Sequence, residues 1–167
     1  GTINTKPPML YISIRPERLS YEYIKDTMEF VVNMPGSNLV KAVDYCGVRS
    51  GKKNDKIKEM GFTLKDSTNI CVPYIEECPV NIECKVKNII PLGTHDMFIA
   101  EVVSSHVNEE LFDENGKIHF ENANMMAYCH GEYFPLQKHP VGSFGFSVMK
   151  KKTKKRRNLQ RQMQQNK

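Results

Sequence analysis

Residues 9–34 set a strand, a cationic turn, a helix and a second strand one after another with no spacer. This succession limits the fold more than any other part of the 167-residue chain. Met9-Leu10-Tyr11-Ile12-Ser13-Ile14 is a continuous apolar, β-branched run, the pattern of a strand buried on both faces. Arg15-Pro16-Glu17-Arg18-Leu19-Ser20 follows as a polar turn with two guanidinium groups, and Ser20 stands at the expected N-cap of a helix that starts at Tyr21. A hydroxyl at an N-cap, free backbone N–H groups beyond it and Arg15 close by make a site for a phosphate monoester. The competing reading is a surface ion pair between Arg15 and Glu17. Phe30-Val31-Val32-Asn33-Met34 then returns as a second apolar strand.

The later sequence reads as more strands with short helices between them. Residues 37–46 predict an amphipathic helix with Leu39, Val40 and Val43 on one face, closed by Gly47 as the glycine after its end. Gly47-Val48-Arg49-Ser50-Gly51-Lys52-Lys53-Asn54-Asp55-Lys56 sets four cations around one acid; it is either a solvated turn or a wall of backbone N–H groups facing an anion. Residues 57–61 continue a short helix and stop it, residues 62–68 read as an edge strand with a turn, and residues 70–74 as a linker. Val80, Ile82, Cys84 and Val86 alternate with polar residues, which predicts a strand with one face in the core and one in water. Residues 97–103 supply its antiparallel partner across a glycine turn that carries His95. Asn115-Gly116 signals a further hairpin turn, and residues 131–134 and 142–148 read as short β segments. Many short strands, few short helices and glycine-marked turns describe a mainly β fold, a β-barrel with helices inserted between strands.

Composition bounds the rest. At 40% hydrophobic the chain can bury one sizeable core. No apolar run is long enough for a bilayer helix and the start lacks a signal pattern, so a soluble, cytoplasmic protein is expected. The five cysteines form no C-x-x-C pair and are expected as reduced, mostly buried thiols without a metal. Nine of the 24 Lys and Arg lie in residues 150–167, leaving 15 against 19 acidic residues, a net of −4, in residues 1–149. The organisation expected is one domain over residues 1–149 and a basic tail over residues 150–167, disordered or helical only on contact with a partner.

With these stretches laid out, the chain resembles the flavin reductase-like family, whose fold is the FMN-binding split barrel, and its flavoredoxin-like branch. The resemblance is carried by Thr2-Ile3-Asn4-Thr5-Lys6-Pro7-Pro8-Met9, Ser13-Ile14-Arg15-Pro16 with Ser20-Tyr21, and Glu29-Phe30-Val31-Val32-Asn33. It continues through Cys46-Gly47 with Ser50-Gly51 and Asp55-Lys56, Gly93-Thr94-His95-Asp96-Met97-Phe98, Gly131-Glu132-Tyr133 and Gly142-Ser143-Phe144-Gly145-Phe146. It implies FMN as cofactor and a homodimer with the flavin at or near the subunit interface. By resemblance Arg15 and Ser20 are the phosphate ligands, and the backbone of Thr2, Ile3 and Asn4 runs along the isoalloxazine ring. Asn33, Ser50 and Gly51 flank the ribityl chain and ring, and Ser13, Cys46, Gly47 and Lys56 belong to the same cofactor-binding segments. His95 is either a contact to flavin or nicotinamide or a polar turn residue. The family pattern also carries a strand before the segment matching Gly1-Thr2, so an unpaired barrel edge is expected here.

The flavin would carry the chemistry, accepting hydride from NAD(P)H, and the chain shows no catalytic triad, carboxylate pair or Rossmann fingerprint. Two alternatives are an electron carrier loaded by a redox partner protein and, less in keeping with the sequence, a nucleic-acid binder driven by the tail.

Overall fold

In the computed structural model, which describes residues 1–151, 153 and 156, the chain opens with a strand pair. β1 (Thr2–Thr5) and β2 (Pro8–Ile14) are antiparallel across a turn with a cis Lys6-Pro7 bond. α1 (Leu19–Thr27) ends at Met28, whose left-handed backbone at φ 56° reverses the chain into β3 (Glu29–Met34). A 3-10 turn leads into α2 (Val40–Val48), and α3 (Lys56–Met60) ends at Gly61 in the left-handed conformation. β4 (Leu64–Lys65) and β5 (Tyr74–Ile75) pair with each other. The two longest strands, β6 (Val80–Pro91) and β7 (Asp96–Val107), form the expected hairpin, and β8 (Met126–Cys129) and β9 (Glu132–Pro135) a smaller one.

The main sheet has the order β1-β2-β7-β6-β3 with every neighbour antiparallel. Its core is built from alternate residues of these strands: Phe30, Cys84, Val86, Phe98 and Ala100, with Ile24 from α1. Phe98 is 0% exposed, and Tyr21 of α1 meets it edge-on at 5.5 Å between centroids. The apolar period of α1 therefore ties the helix to the middle of the sheet. The mainly β architecture with inserted short helices is the one expected, but among the described residues the strands do not close into a ring. The main ladder has β1 and β3 as its edges, and β4-β5 and β8-β9 stand as separate pairs.

Other expectations are corrected locally. β2 is not buried on both faces: Ser13 is exposed and residues 9–12 are only half-buried. Ser20 is not the N-cap; Arg18 is, because a turn closed by the Arg18 N–H on the Arg15 carbonyl at 3.1 Å starts the helix at Leu19. Gly47 does not end α2, which runs through it to Val48 before Arg49 turns extended. Asn115-Gly116 makes a turn flanked by only an isolated bridge, Phe112 to Ile118. Residues 142–148 hold no strand: Gly145 at φ 78° introduces a 3-10 turn over Phe146–Val148. The cysteines are all free, but only Cys78 and Cys84 are buried, while Cys71 and Cys129 are exposed. Burial pushes the Cys78 thiol up to about 11 and the Cys84 thiol up to about 12, so neither is a thiolate near neutrality.

The polar face of β6 is also not in water at its start. Asn81 is 3% and Glu83 0% exposed, both covered by the excursion over residues 62–79. That excursion has only a two-residue ladder, so its backbone groups take partners from side chains of the sheet. Glu83 accepts from the N–H groups of Thr68 at 2.7 Å and Asn69 at 2.8 Å. Glu29 accepts from Cys71 N–H and Asn33 Oδ1 from Ile75 N–H, each at 2.8 Å, and Asn81 Nδ2 donates to the Cys78 carbonyl. His106 of β7 closes on Glu83 through Nε2 and stacks on Tyr74 at 4.6 Å.

The chain divides into two units, Gly1–Leu136 and Gln137–Lys167. No helix among the described residues is long and apolar enough to cross a membrane. Most of the basic tail expected over residues 150–167 lies outside the described residues.

Candidate functional site

The first turn of α1 forms one wall of a cleft. Its N-cap, Arg18, is extended at φ −80°, ψ 141° and makes no side-chain cap, so the N–H groups that open the helix have no side-chain acceptor. Ser20 lies within this turn and faces the cleft together with Arg18 and Tyr23. The opposite wall is the end of α2 and the loop that runs from it into α3, residues 49–57. The cleft has a volume of about 1050 Å³.

The loop holds its shape by local bonds. The Ser50 carbonyl accepts from Lys53 and Asn54 N–H groups at 3.1 Å and from Asn54 Nδ2 at 3.0 Å. Asp55 caps α3 by accepting from Lys58 N–H at 3.1 Å, which is what a carboxylate at that position does for a helix start. Lys56 Nζ donates to the Cys46 carbonyl at 2.5 Å and ties α3 to α2. Lys52 pairs with Glu22 and so bridges the two walls. Gly51 sits against the start of α1: a Cβ added there would meet Leu19 Cδ2 at 3.1 Å. Gly51→Val is expected to push loop and helix apart and cost about 1–3 kcal/mol, read as a lower thermal midpoint; an unchanged midpoint would show that this close approach is not needed.

The electrostatics of the cleft are one-sided. Arg18, Arg49, Lys52, Lys53 and Lys56 line it against Glu17 and Asp55. The Glu17 backbone N–H, then Arg15 and Arg18, hold the Glu17 carboxyl below its ordinary value, so it stays ionised, and the five cations still outnumber the two acids.

Six of the residues singled out from sequence meet in this cleft: Ser20, Cys46, Gly47, Ser50, Gly51 and Lys56. The others lie elsewhere. Arg15 turns to Glu17 at 3.4 Å in a half-exposed pair, the competing reading of the sequence. Thr2, Ile3 and Asn4 are exposed on edge strand β1, and Ser13 is exposed on β2. Asn33 accepts from Ile75 and thereby anchors the 62–79 excursion. His95 closes the β6-β7 turn through its carbonyl, its ring against Thr94 Oγ1 at 2.9 Å. Arg18, Arg49, Lys52 and Lys53 also line the cleft; in the sequence they are cations of two charged stretches, residues 15–20 and 47–56, without a way to tell which of them face inward.

A family model described as "Flavin reductase like domain" matches residues 2–137. The chain belongs to that family. Its fold is similar to that of flavoredoxin of Desulfovibrio vulgaris (Miyazaki F), at 25% identity and a TM-score of 0.81 over 88% of this chain and 80% of that one. It is similar also to flavoredoxin from Methanosarcina acetivorans, at 28% identity and a TM-score of 0.79 over 89% and 81%. An uncharacterized protein of Archaeoglobus fulgidus is 34% identical over 115 residues, 69% of this chain and 64% of that protein, so the chain spans slightly less than two thirds of that relative's length.

The flavin reductase-like fold is a flavin-binding one, and the cleft fits a flavin nucleotide. Ser20, Ser50 and Arg18 suit its phosphate, while Ile14, Leu19, Tyr23 and Ile57 give the same cleft apolar surface for the rest of the molecule.

Proposed function

We propose that the chain binds FMN in the cleft between α1 and residues 49–57 and works as a flavin reductase-like oxidoreductase using NAD(P)H. The observation that carries this reading is the meeting of Ser20 and Arg18 with the Ser50-Gly51 turn in one cationic cleft within the matched region. When bound, the flavin supplies the hydride- and electron-accepting chemistry. The protein's share is to hold the phosphate monoester with the Ser20 hydroxyl, the Arg18 guanidinium and the opening N–H groups of α1. Lys52 pairs with Glu22 across the two walls. The family resemblance further supports a homodimer, backbone contact from Thr2, Ile3 and Asn4, and a contact from His95.

The test is the visible absorption spectrum of the protein after FMN is added and excess removed, on the parent and on an Arg18→Gln, Ser20→Ala variant. Hydrogen bonds to charged groups are worth about 1.5–3 kcal/mol each, so FMN affinity is expected to fall at least tenfold in the variant. Arg15→Ala, which removes a half-exposed partner of Glu17, is expected to change it less. No flavin bands and no uptake by the parent would sink the reading.

A second reading, an FMN electron carrier loaded by a redox partner protein, is favoured by the likeness to two flavoredoxins. NAD(P)H added alone bleaches the bound flavin on the first reading and leaves it yellow on the second.

A further inference from the structure

The loop wall of the cleft carries more positive charge than one phosphate on the opposite wall requires. Lys52 is spent on Glu22, Lys56 on the Cys46 carbonyl and Asp55 on the α3 cap. Two cations remain. Lys53 bonds through its backbone N–H only, and its ammonium has no hydrogen-bond or ion-pair partner among the described residues. Arg49 lies over the Tyr45 ring at 5.9 Å, and its guanidinium N–H groups make no hydrogen bond or ion pair among the described residues. Both are exposed and both line the cleft.

Like charges held close on one short loop repel, and a multivalent anion relieves that repulsion. The cleft, at about 1050 Å³, is at the top of the range for small-molecule pockets, about 300–1,000 Å³. A phosphate monoester carries nearly two charges and three acceptor oxygens at neutral pH, which suits a point-charge ammonium beside a forked guanidinium. A neutral ribose hydroxyl in its place engages neither.

We propose that Arg49 and Lys53 form a subsite for the 2′-phosphate of the nicotinamide donor, so that this protein selects NADPH over NADH; the inference rests on the FMN reading of the same cleft. The diphosphate bridge is common to the two donors and discriminates nothing, so selection rests on these two side chains.

The experiment titrates FMN-loaded protein with adenosine 2′,5′-bisphosphate and with adenosine 5′-monophosphate by calorimetry, on the parent and on an Arg49→Gln, Lys53→Gln variant. The parent is expected to bind the bisphosphate roughly tenfold more tightly, the worth of one hydrogen bond between charged groups. The variant is expected to bind the two equally while retaining FMN. Equal affinities in the parent, or a preference that survives in the variant, would overturn the proposal. Loss of FMN from the variant would also overturn it, by assigning these cations to the flavin phosphate. A parent without FMN uptake is seen in the absorption spectrum before any titrant is added, and removes the flavin reading and this one together.

Discussion

Glu83→Ala is expected to lower the unfolding free energy by about 3–5 kcal/mol, since each buried donor left without its acceptor costs about 1–3 kcal/mol. The carboxylate is fully buried and accepts from the N–H groups of Thr68 and Asn69 while it meets His106. Its loss leaves two backbone donors and an imidazole without their acceptor, under an excursion that has little ladder of its own. Glu83→Gln keeps one acceptor oxygen and is expected to cost less. The pH dependence has a definite sign. Burial works to raise the Glu83 pKa, but His106 and the two backbone donors outweigh it and hold the carboxyl below its ordinary value of 4.5. A depressed carboxylate pKa stabilises the fold fully above the ordinary value, and that stability is lost as pH falls through the folded value. The parent should therefore lose stability below about pH 4.5 more steeply than Glu83→Gln does. Urea unfolding at neutral pH and across the acid range measures both effects. A cost under about 1 kcal/mol for Glu83→Ala, the size of an average substitution, would mean that the excursion is held by something other than this carboxylate.

Phe98→Ala is expected to cost about 3–5 kcal/mol, the range for emptying a fully buried aromatic position. Phe98 pairs with Ile12 on β2 and Ile89 on β6 at the centre of the sheet, and its edge-on contact to Tyr21 is the aromatic link to α1. Tyr21 is also anchored at its other end, donating to Asp96 Oδ2 at 2.8 Å. Removing the Phe98 ring empties the centre of the cluster against which Ile24 and Tyr21 of α1 pack. Because the first turn of α1 is a wall of the cleft, the variant should retain FMN less well even at temperatures where it stays folded. Phe98→Leu fills most of the volume and is expected to recover both properties. Weakened stability with undiminished FMN binding would mean that the cleft does not depend on this packing.

The local elements of this fold are largely legible in the sequence. The runs at residues 9–14 and 30–34, the alternation at residues 80–87 and the glycine turn before residue 97 specify strands, because the apolar period of a strand is a property of neighbouring residues. Helix ends are less legible. Ser20 and Gly47 have the composition of a cap and a stop, yet the turn over residues 15–18 starts α1 earlier and α2 runs on through Gly47. Capping preferences are worth about 1 kcal/mol, and a turn on one side or a loop that begins two residues later outweighs them. Glu83 and Asn81 mislead for a related reason: on an alternating strand they belong to the solvent face, and only the excursion over residues 62–79 buries them.

The candidate site divides along the same line. Sequence by itself determined the family and the flavin-binding character of the fold, since these depend on short runs in a fixed order. The tertiary structure decided which cations line the cleft. Arg15 and Arg18 are equivalent in a sequence, but one turn of chain sends Arg15 to Glu17 and leaves Arg18 lining the cleft. Lys52, Lys53 and Lys56 are a charge run in sequence, and folding gives their side chains different partners: Glu22, none among the described residues, and the Cys46 carbonyl. Direction and partnership of a side chain depend on what long-range packing sets beside it, and the charge pattern along one short segment carries no record of that.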